Sequence, residues 1–143
     1  MYFYGAYAAN SMRLEKGYRG WGSDLTTERS PLEAGLTHFV RPALRKDLIR
    51  DDAWDMVLLE IEVADVDPFY AHTLWQGDRP VGIVTSGAYG HRTGKVLALA
   101  YLRDTSARDR LTVSILGQHR KASILPKPPF DPDNTRLKAG VKL

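Results

Sequence analysis

The stretch Val81–Leu102, which reads VGIVTSGAYGHRTGKVLALAYL, predicts two β-strands separated by a turn. In its first part Val81, Ile83 and Thr85 alternate with Gly82 and Val84, which is the two-residue period of a strand. Its last part, 95–102, is a continuous apolar run. Between them, residues 85–90 combine hydroxyl side chains with glycines, and we expect a turn there. The backbone amides of such a turn can bind an anion, but an ordinary turn between strands explains the same residues.

The rest of residues 55–125 continues the strand pattern. Further strands are predicted at 57–63, at 73–76, at 111–116 and at 120–125. The pairs Gly77-Asp78 and Gly117-Gln118 lie between strands, and a two-residue loop that begins with Gly is typical of a tight hairpin. Six short strands at this spacing predict a small antiparallel barrel or a sandwich.

The first 54 residues differ, because aromatic residues, glycines and helix-compatible stretches dominate them. Helical spacing predicts a first helix that ends near Arg13, with Gly17 as its stop signal; the spaced residues are Phe3, Ala6, Tyr7, Asn10 and Leu14. Gly17, Gly20 and Gly22 then predict a loop. A second helix is predicted from Pro42 to Trp54, with Leu44, Leu48 and Ile49 on one face.

Composition excludes several classes of function. The chain has 143 residues, no cysteine and a net charge of +3, so disulfides and thiolate metal sites are excluded. Its four histidines are too dispersed for a zinc site. No GxGxxG motif opens a helix after a strand, so we expect no flavin or nicotinamide site. We expect no membrane partner, since no stretch is long and apolar enough to span a membrane. We also expect no nucleic-acid partner, since the basic residues are interrupted and the strands carry few aromatics. A chain without cysteine fits a cytoplasmic location.

Two long runs resemble one known family. Residues 11–40, SMRLEKGYRGWGSDLTTERSPLEAGLTHFV, and the stretch 81–102 resemble the glycine cleavage T-protein (aminomethyltransferase) family. The sequence of these runs is most similar to the T-protein-like half of dimethylglycine and sarcosine dehydrogenases. Residues 130–137, FDPDNTRL, resemble the family's closing segment. The resemblance implies an α+β protein, with part of a mixed α/β folate-binding domain in residues 1–54 and a six-stranded antiparallel β-barrel in residues 55–143.

The resemblance also implies ligand-binding residues. His38 stands where the family has an aromatic residue that packs against bound folate, and Arg13 is a candidate for the folate carboxylate, which a guanidinium fork suits. The alternatives are a structural histidine, and an ion pair between Arg13 and Glu15 that orients this segment against the barrel. Two positions depart from the family: Ala9 replaces an arginine found in many T-proteins, and Arg50 replaces a glycine.

The function implied is the C-terminal part of a tetrahydrofolate-dependent aminomethyltransferase or N-methyl-amine demethylating enzyme, in which the barrel closes the folate channel. The family's catalytic aspartate lies upstream of the matched region, so we expect no catalytic residue and no metal in this chain. The chain would then be a truncated product, a split-enzyme subunit or a retained fragment. The alternative is a non-catalytic interaction module that needs a partner chain or a second copy of itself. Its interface candidates are Phe3, Tyr4, Tyr7, Tyr18 and Trp21.

Overall fold

The structure is a computed structural model that describes residues 4–50, 54–103 and 108–140. Its helices are α1 (Ala6–Glu15) and α2 (Thr135–Lys138), with three short 3₁₀ turns between α1 and the first strand. The six strands are β1 (Asp55–Ile61), β2 (Thr73–Gln76), β3 (Arg79–Gly90), β4 (Lys95–Leu102), β5 (Leu111–Ile115) and β6 (Gln118–Leu125).

The strands form a closed barrel in the order β1-β4-β3-β2-β5-β6, and every neighbouring pair is antiparallel. Pairing of β1 with β6 closes the ring, which leaves no free sheet edge. The predicted six-stranded antiparallel barrel is therefore confirmed. Its interior is filled by aliphatic side chains from all six strands, among them Leu59, Leu74, Val84, Leu102, Leu111 and Ile115.

The outer face of β1 and β4 carries a second apolar cluster. Leu58 on β1 and the alternate β4 residues Leu97, Leu99 and Tyr101 pack there against Leu14 of α1. Residues 56–59 of β1 are accordingly buried on both faces of the sheet. The helical zone, residues 4–50, thus packs through α1 on one side of the barrel, and the candidate residue Arg13 lies at this junction.

The β2–β3 and β5–β6 turns are close to their predicted positions. Gln76 pairs with Arg79, so Gly77-Asp78 is the β2–β3 loop as expected. Ile115 pairs with Gln118, so the β5–β6 loop is Leu116-Gly117, one residue earlier than predicted. Leu116 and Gly117 have φ values of 49° and 75°. Positive φ at both central residues suits the right-handed twist of the flanking strands.

The predicted turn at 85–90 is wrong, because these residues complete the long strand β3 and the turn follows at 91–94. The glycines that suggested a turn serve close packing instead. A Cβ atom on Gly87 would lie 2.3 Å from the carbonyl oxygen of Pro68, and one on Gly90 would lie 2.9 Å from Oε1 of Glu15. Small residues are required there by neighbours that are distant in sequence.

The predicted first helix is confirmed, and it ends as its sequence indicates. Gly17 has φ +64°. The Gly17 N–H donates to the Leu14 carbonyl, and the Tyr18 N–H donates to the Arg13 carbonyl. This is the Schellman arrangement, in which a left-handed glycine satisfies the last carbonyls of a helix. Phe3, the first residue of the predicted pattern, lies outside the described residues.

A continuous helix over 42–54 is not observed. The described part contains 3₁₀ turns at Pro42–Leu44 and Lys46–Leu48, while residues 51–53 lie outside the described residues. Leu44 and Ile49 are 53% and 69% exposed. A short helix depends on burial of an apolar face for its stability, and these residues provide none. Among the described residues, no helix has the length and apolar character to cross a membrane.

Candidate functional site

The glycine-rich loop, residues 17–24, meets the barrel at Asp24. This side chain is 0% exposed. Its Oδ2 accepts hydrogen bonds from Arg13 Nη1 at 2.7 Å and from the Gly20 N–H at 2.8 Å. Its Oδ1 accepts hydrogen bonds from the hydroxyls of Thr85 and Ser86 on β3. The carboxylate thus joins α1, the loop and the barrel wall.

A β-bulge at Thr85 makes this arrangement possible. Val84 pairs with Ala100 and Ser86 pairs with Leu99, which leaves Thr85 as an extra residue in β3. Successive side chains of a regular strand point to opposite faces, but a bulge re-aims one of them. Both hydroxyls can therefore reach the same carboxylate oxygen.

Tyr101 on β4 adds a further contact to the same loop. Its hydroxyl donates to the main-chain oxygen of Asp24 at 2.9 Å. Burial raises the pKa of Tyr101 to about 12, and the Arg29 charge only partly opposes this effect. The phenol therefore stays protonated and keeps donating over the physiological pH range.

Arg13 is paired, but its partner is not the one that the sequence suggested. It lies in α1 and bonds to Asp24 and to the Tyr18 carbonyl through Nη1. Glu15 instead accepts from the backbone N–H groups of Arg92 and Thr93, so it holds the β3–β4 turn. The expected Arg13–Glu15 pair is wrong, because both residues lie in a helix, where positions i and i+2 do not face each other.

Glu33 holds the turn that precedes His38. Its Oε2 accepts the Ser30 N–H at 2.8 Å, while the Ser30 hydroxyl accepts the Glu33 N–H, the reciprocal pattern of a capping box. Its Oε1 accepts the Trp54 N–H at 3.1 Å, which fixes the turn to the entrance of β1. Burial alone would raise the pKa of Glu33, but these hydrogen bonds and the Arg29 charge lower it below its usual value.

His38 lies on the 3₁₀ turn Thr37–Phe39, directly after this anchored segment, and its side chain is exposed. Its ring centroid is 4.0 Å from that of Phe39, which is itself 77% exposed. The two rings form an uncovered aromatic surface. No hydrogen bond or ion pair joins His38 to Arg13 in the part of the chain that the structure describes.

The arrangement suits binding better than proton transfer. The carboxylates of Asp24, Glu15 and Glu33 are buried, and each accepts several hydrogen bonds. A general base must be able to reach a substrate proton, and these groups are already occupied. Residues 4–50, 54–103 and 108–140 contain no group of three or more His, Cys, Asp or Glu side chains that could hold a metal ion.

Sequence reasoning missed Asp24 and Glu33 as organising residues. Glu33 had a readable signal, because Ser30-Pro31-Leu32-Glu33 fits the spacing of a capping box. Asp24 had none, since its partners Thr85 and Ser86 lie about sixty positions away. Only the folded chain brings these groups together.

Comparison with known proteins identifies the family. The model of the glycine cleavage T-protein C-terminal barrel domain matches residues 55–131, and that of the GCVT N-terminal domain matches residues 1–43. Mitochondrial dimethylglycine dehydrogenase of Mus musculus is 34% identical over 137 residues, covering 87% of this chain and 16% of that protein. Mitochondrial sarcosine dehydrogenase of Mus musculus is 31% identical over 150 residues, covering 92% and 16%.

A solved structure has the same fold. The glycine cleavage system aminomethyltransferase T from Bartonella henselae superposes with a TM-score of 0.72 at 21% identity, covering 87% of this chain and 38% of that one. The chain spans about one sixth of the length of the dehydrogenases that it matches. The family model of the barrel alone matches more than half of the chain. The chain therefore belongs to the glycine cleavage T-protein family, and it matches the C-terminal, T-protein-like part of these relatives.

Proposed function

We propose that the chain serves as the C-terminal part of a tetrahydrofolate-dependent aminomethyltransferase or N-methyl-amine demethylating enzyme. In this proposal the barrel closes the folate channel and the chain contributes binding residues, not the catalytic base. The family membership supports the class of reaction. The observation that carries the proposal is the exposed His38–Phe39 pair, which lies on a 3₁₀ turn directly after the segment that Glu33 fixes to the Trp54 backbone.

The His38–Phe39 pair has the properties of a stacking surface for a flat conjugated ligand. Two exposed rings offer apolar area at a small entropic cost, because the 3₁₀ turn that carries them is closed by its own backbone hydrogen bonds and follows a segment held by Glu33. Ring faces stack favourably with other conjugated systems. The imidazole of His38 can also donate a hydrogen bond, which phenylalanine cannot.

Arg13 keeps donors available for a carboxylate. Its Nη1 is occupied by Asp24 and the Tyr18 carbonyl, but its Nε and Nη2 have no hydrogen-bond partner among the described residues. The side chain is 22% exposed. Because Asp24 fixes the guanidinium, an arriving carboxylate would meet donors that are already oriented, which suits the glutamate group of a folate.

Calorimetric titration of the purified chain with tetrahydrofolate under anaerobic conditions tests this proposal. We expect saturable binding that weakens by about tenfold in His38→Ala, since loss of one ring–ligand stacking contact costs about 1 kcal/mol or more. His91→Ala is the matched control, because His91 is also exposed and also contacts an aromatic ring, that of Tyr89. The control should bind as the unaltered chain does.

Absence of binding at millimolar tetrahydrofolate would contradict the proposal for the isolated chain. Equal affinity in His38→Ala and His91→Ala would remove His38 from it. Equal weakening in both variants would show that the loss is not specific to the 3₁₀ turn and would contradict the proposed role of His38.

The second candidate is a non-catalytic module or split-enzyme subunit that needs a partner chain. The exposure of large aromatic residues favours it: Tyr4 is 70%, Tyr7 is 93% and Trp21 is 77% exposed. Exposed apolar groups of this size often mark protein contacts when they lie together. The two candidates are compatible if the partner supplies the rest of a folate channel.

A further inference from the structure

A separate cavity lies between the glycine-rich loop and the outer face of the barrel. Its volume is about 260 Å³. Leu58, Leu99, Ile124 and Leu125 give it an apolar floor, and it also touches Gly17, Pro126 and Pro128. Ligand pockets for drug-sized molecules are usually larger, at roughly 300–1,000 Å³. The cavity is therefore too small for a folate, and an inference about it does not rest on the folate proposal.

The rim of this cavity carries an excess of positive charge. Arg19, Arg108 and Lys127 line it, and Asp55 is the one carboxylate among its lining residues. Arg108 is paired with Asp55 across the rim. Lys127 lies 3.8 Å from Asp133, and both of those side chains are more than 70% exposed, so this contact is weak. Arg19 has no carboxylate within ion-pair distance among the described residues.

Arg19 is built into the wall rather than left on the surface. Its Nε donates to the Ala34 carbonyl at 3.1 Å and its Nη1 donates to the Gly17 carbonyl at 3.1 Å. A Cβ atom on Gly35 would lie 2.8 Å from Nη2, so the glycine makes room for the guanidinium. Burial lowers the pKa of Arg19, which means that its charge is partly removed from water.

These observations define a partly desolvated, pre-oriented cation above an apolar floor. A guanidinium has five N–H donors, and Arg19 uses two of them on carbonyl groups. The unused donors belong to a fork whose geometry matches a carboxylate. Charge-assisted hydrogen bonds are stronger than neutral ones, so an anion here would recover the cost of burying the cation.

We propose that this cavity, the Arg19 pocket, binds a small organic anion whose carboxylate faces Arg19 and whose short apolar tail lies against the half-buried Ile124 and Leu125. Lys127 adds long-range attraction at the entrance. Inorganic anions should bind more weakly, because they have no tail to contact the apolar floor. Amines of the same length should not bind, because the positive rim repels them.

Titration of the ¹⁵N-labelled chain with hexanoate, followed by amide chemical shifts, tests the Arg19 pocket. We expect saturable shifts at the lining residues, weaker binding of inorganic phosphate because it has no tail, and no saturation with hexylamine. Arg19→Gln should weaken hexanoate binding by at least about tenfold, because it removes a charge-assisted hydrogen bond. Lys138→Gln, which removes an exposed cation from α2, is the charge-matched control and should change nothing.

Because Arg19 also supports two carbonyl groups, Lys127→Gln provides an independent variant that leaves the fold untouched. It should weaken hexanoate binding by a few fold, and the loss should shrink at high salt. Absence of saturable shifts at millimolar hexanoate overturns the proposal. So do equal shifts with hexylamine, equal affinity for phosphate, or hexanoate binding that neither Arg19→Gln nor Lys127→Gln alters.

Discussion

At the scale of single residues, the junction depends on one buried charge. Asp24 receives hydrogen bonds from Arg13, Gly20, Thr85 and Ser86, so its desolvation is compensated on both oxygens. A buried charge is tolerated only when it is paired and hydrogen-bonded. The hydrogen bonds of this side chain therefore hold the glycine-rich loop on β3.

Asp24→Asn is expected to lower the free energy of unfolding by about 2–3 kcal/mol. The hydroxyls of Thr85 and Ser86 can rotate to accept from the new amide, whereas Arg13 and the Gly20 N–H can only donate. The variant thus keeps its hydrogen bonds but loses the negative charge opposite Arg13. Urea unfolding followed by circular dichroism measures the change.

Asp78→Asn is the control for this substitution, because Asp78 is exposed in the β2–β3 loop. It should alter stability by no more than about 0.5 kcal/mol. If Asp24→Asn were as stable as this control, the Asp24 charge would not be what holds the loop on the barrel.

At the scale of elements, β3 is the strand that connects the glycine-rich loop to the barrel. Its bulge directs Thr85 and Ser86 toward Asp24, while its glycines let neighbouring chain segments approach closely. Gly82 shows this most directly, because a Cβ atom there would lie 2.3 Å from the Tyr101 carbonyl oxygen on β4. Backbone cannot yield as a flexible side chain does, so the pairing of β3 with β4 requires glycine at this position.

Gly82→Ala should destabilise the chain by about 1–3 kcal/mol, as overpacking of a closely packed site usually does. Gly5→Ala is the matched control: Gly5 has φ −88°, and an added methyl group would meet no atom within 4 Å. Because Gly5 is the N-cap of α1, a loss of about 0.5 kcal/mol is expected in the control. Thermal unfolding compares the two variants, and equal midpoints would contradict the proposed steric role of Gly82.

At the scale of the whole molecule, the barrel interior is well filled while the helical zone leaves large aromatic side chains exposed. Tyr7 on α1 and Trp21 in the glycine-rich loop are among the most exposed. Exposure of this kind is expected if the chain works against another polypeptide, either a partner or a second copy. Both candidate functions imply such a contact, since a folate channel would also need residues from outside this chain.

Sedimentation velocity should therefore detect concentration-dependent self-association of the isolated chain, and Tyr7→Ser combined with Trp21→Ser should reduce it. Leu116→Asn is the control, because Leu116 is 82% exposed in the β5–β6 loop and has the positive φ that asparagine tolerates. A chain that stays monomeric at high concentration, or a control that reduces association equally, would argue against an interface at the helical zone.

The sequence by itself determined the presence of six strands, the β2–β3 and β5–β6 loops to within one residue, the end of α1 just before Gly17 and the family. These features rest on local patterns. Strands show an alternation of period two, and glycine marks the start of a hairpin loop or the left-handed end of a helix. Each of these signals lies within one short stretch of sequence, as do the runs that resemble the family. Local signals also misled, since glycines at 85–90 suggested a turn where the structure has a strand. The apolar residues at 42–49 suggested a helix that has no buried face to stabilise it.

Only the tertiary structure decided the strand order, the partners of Asp24 and Glu15, and the setting of Arg19. Asp24 and Ser86 are 62 positions apart, and Glu15 and Thr93 are 78 apart, so no local pattern links them. Their pairing follows from the packing of α1 and the glycine-rich loop against the outer face of β3 and β4. Buried polar groups must find partners wherever the fold brings them, and this long-range requirement is what a linear pattern does not contain.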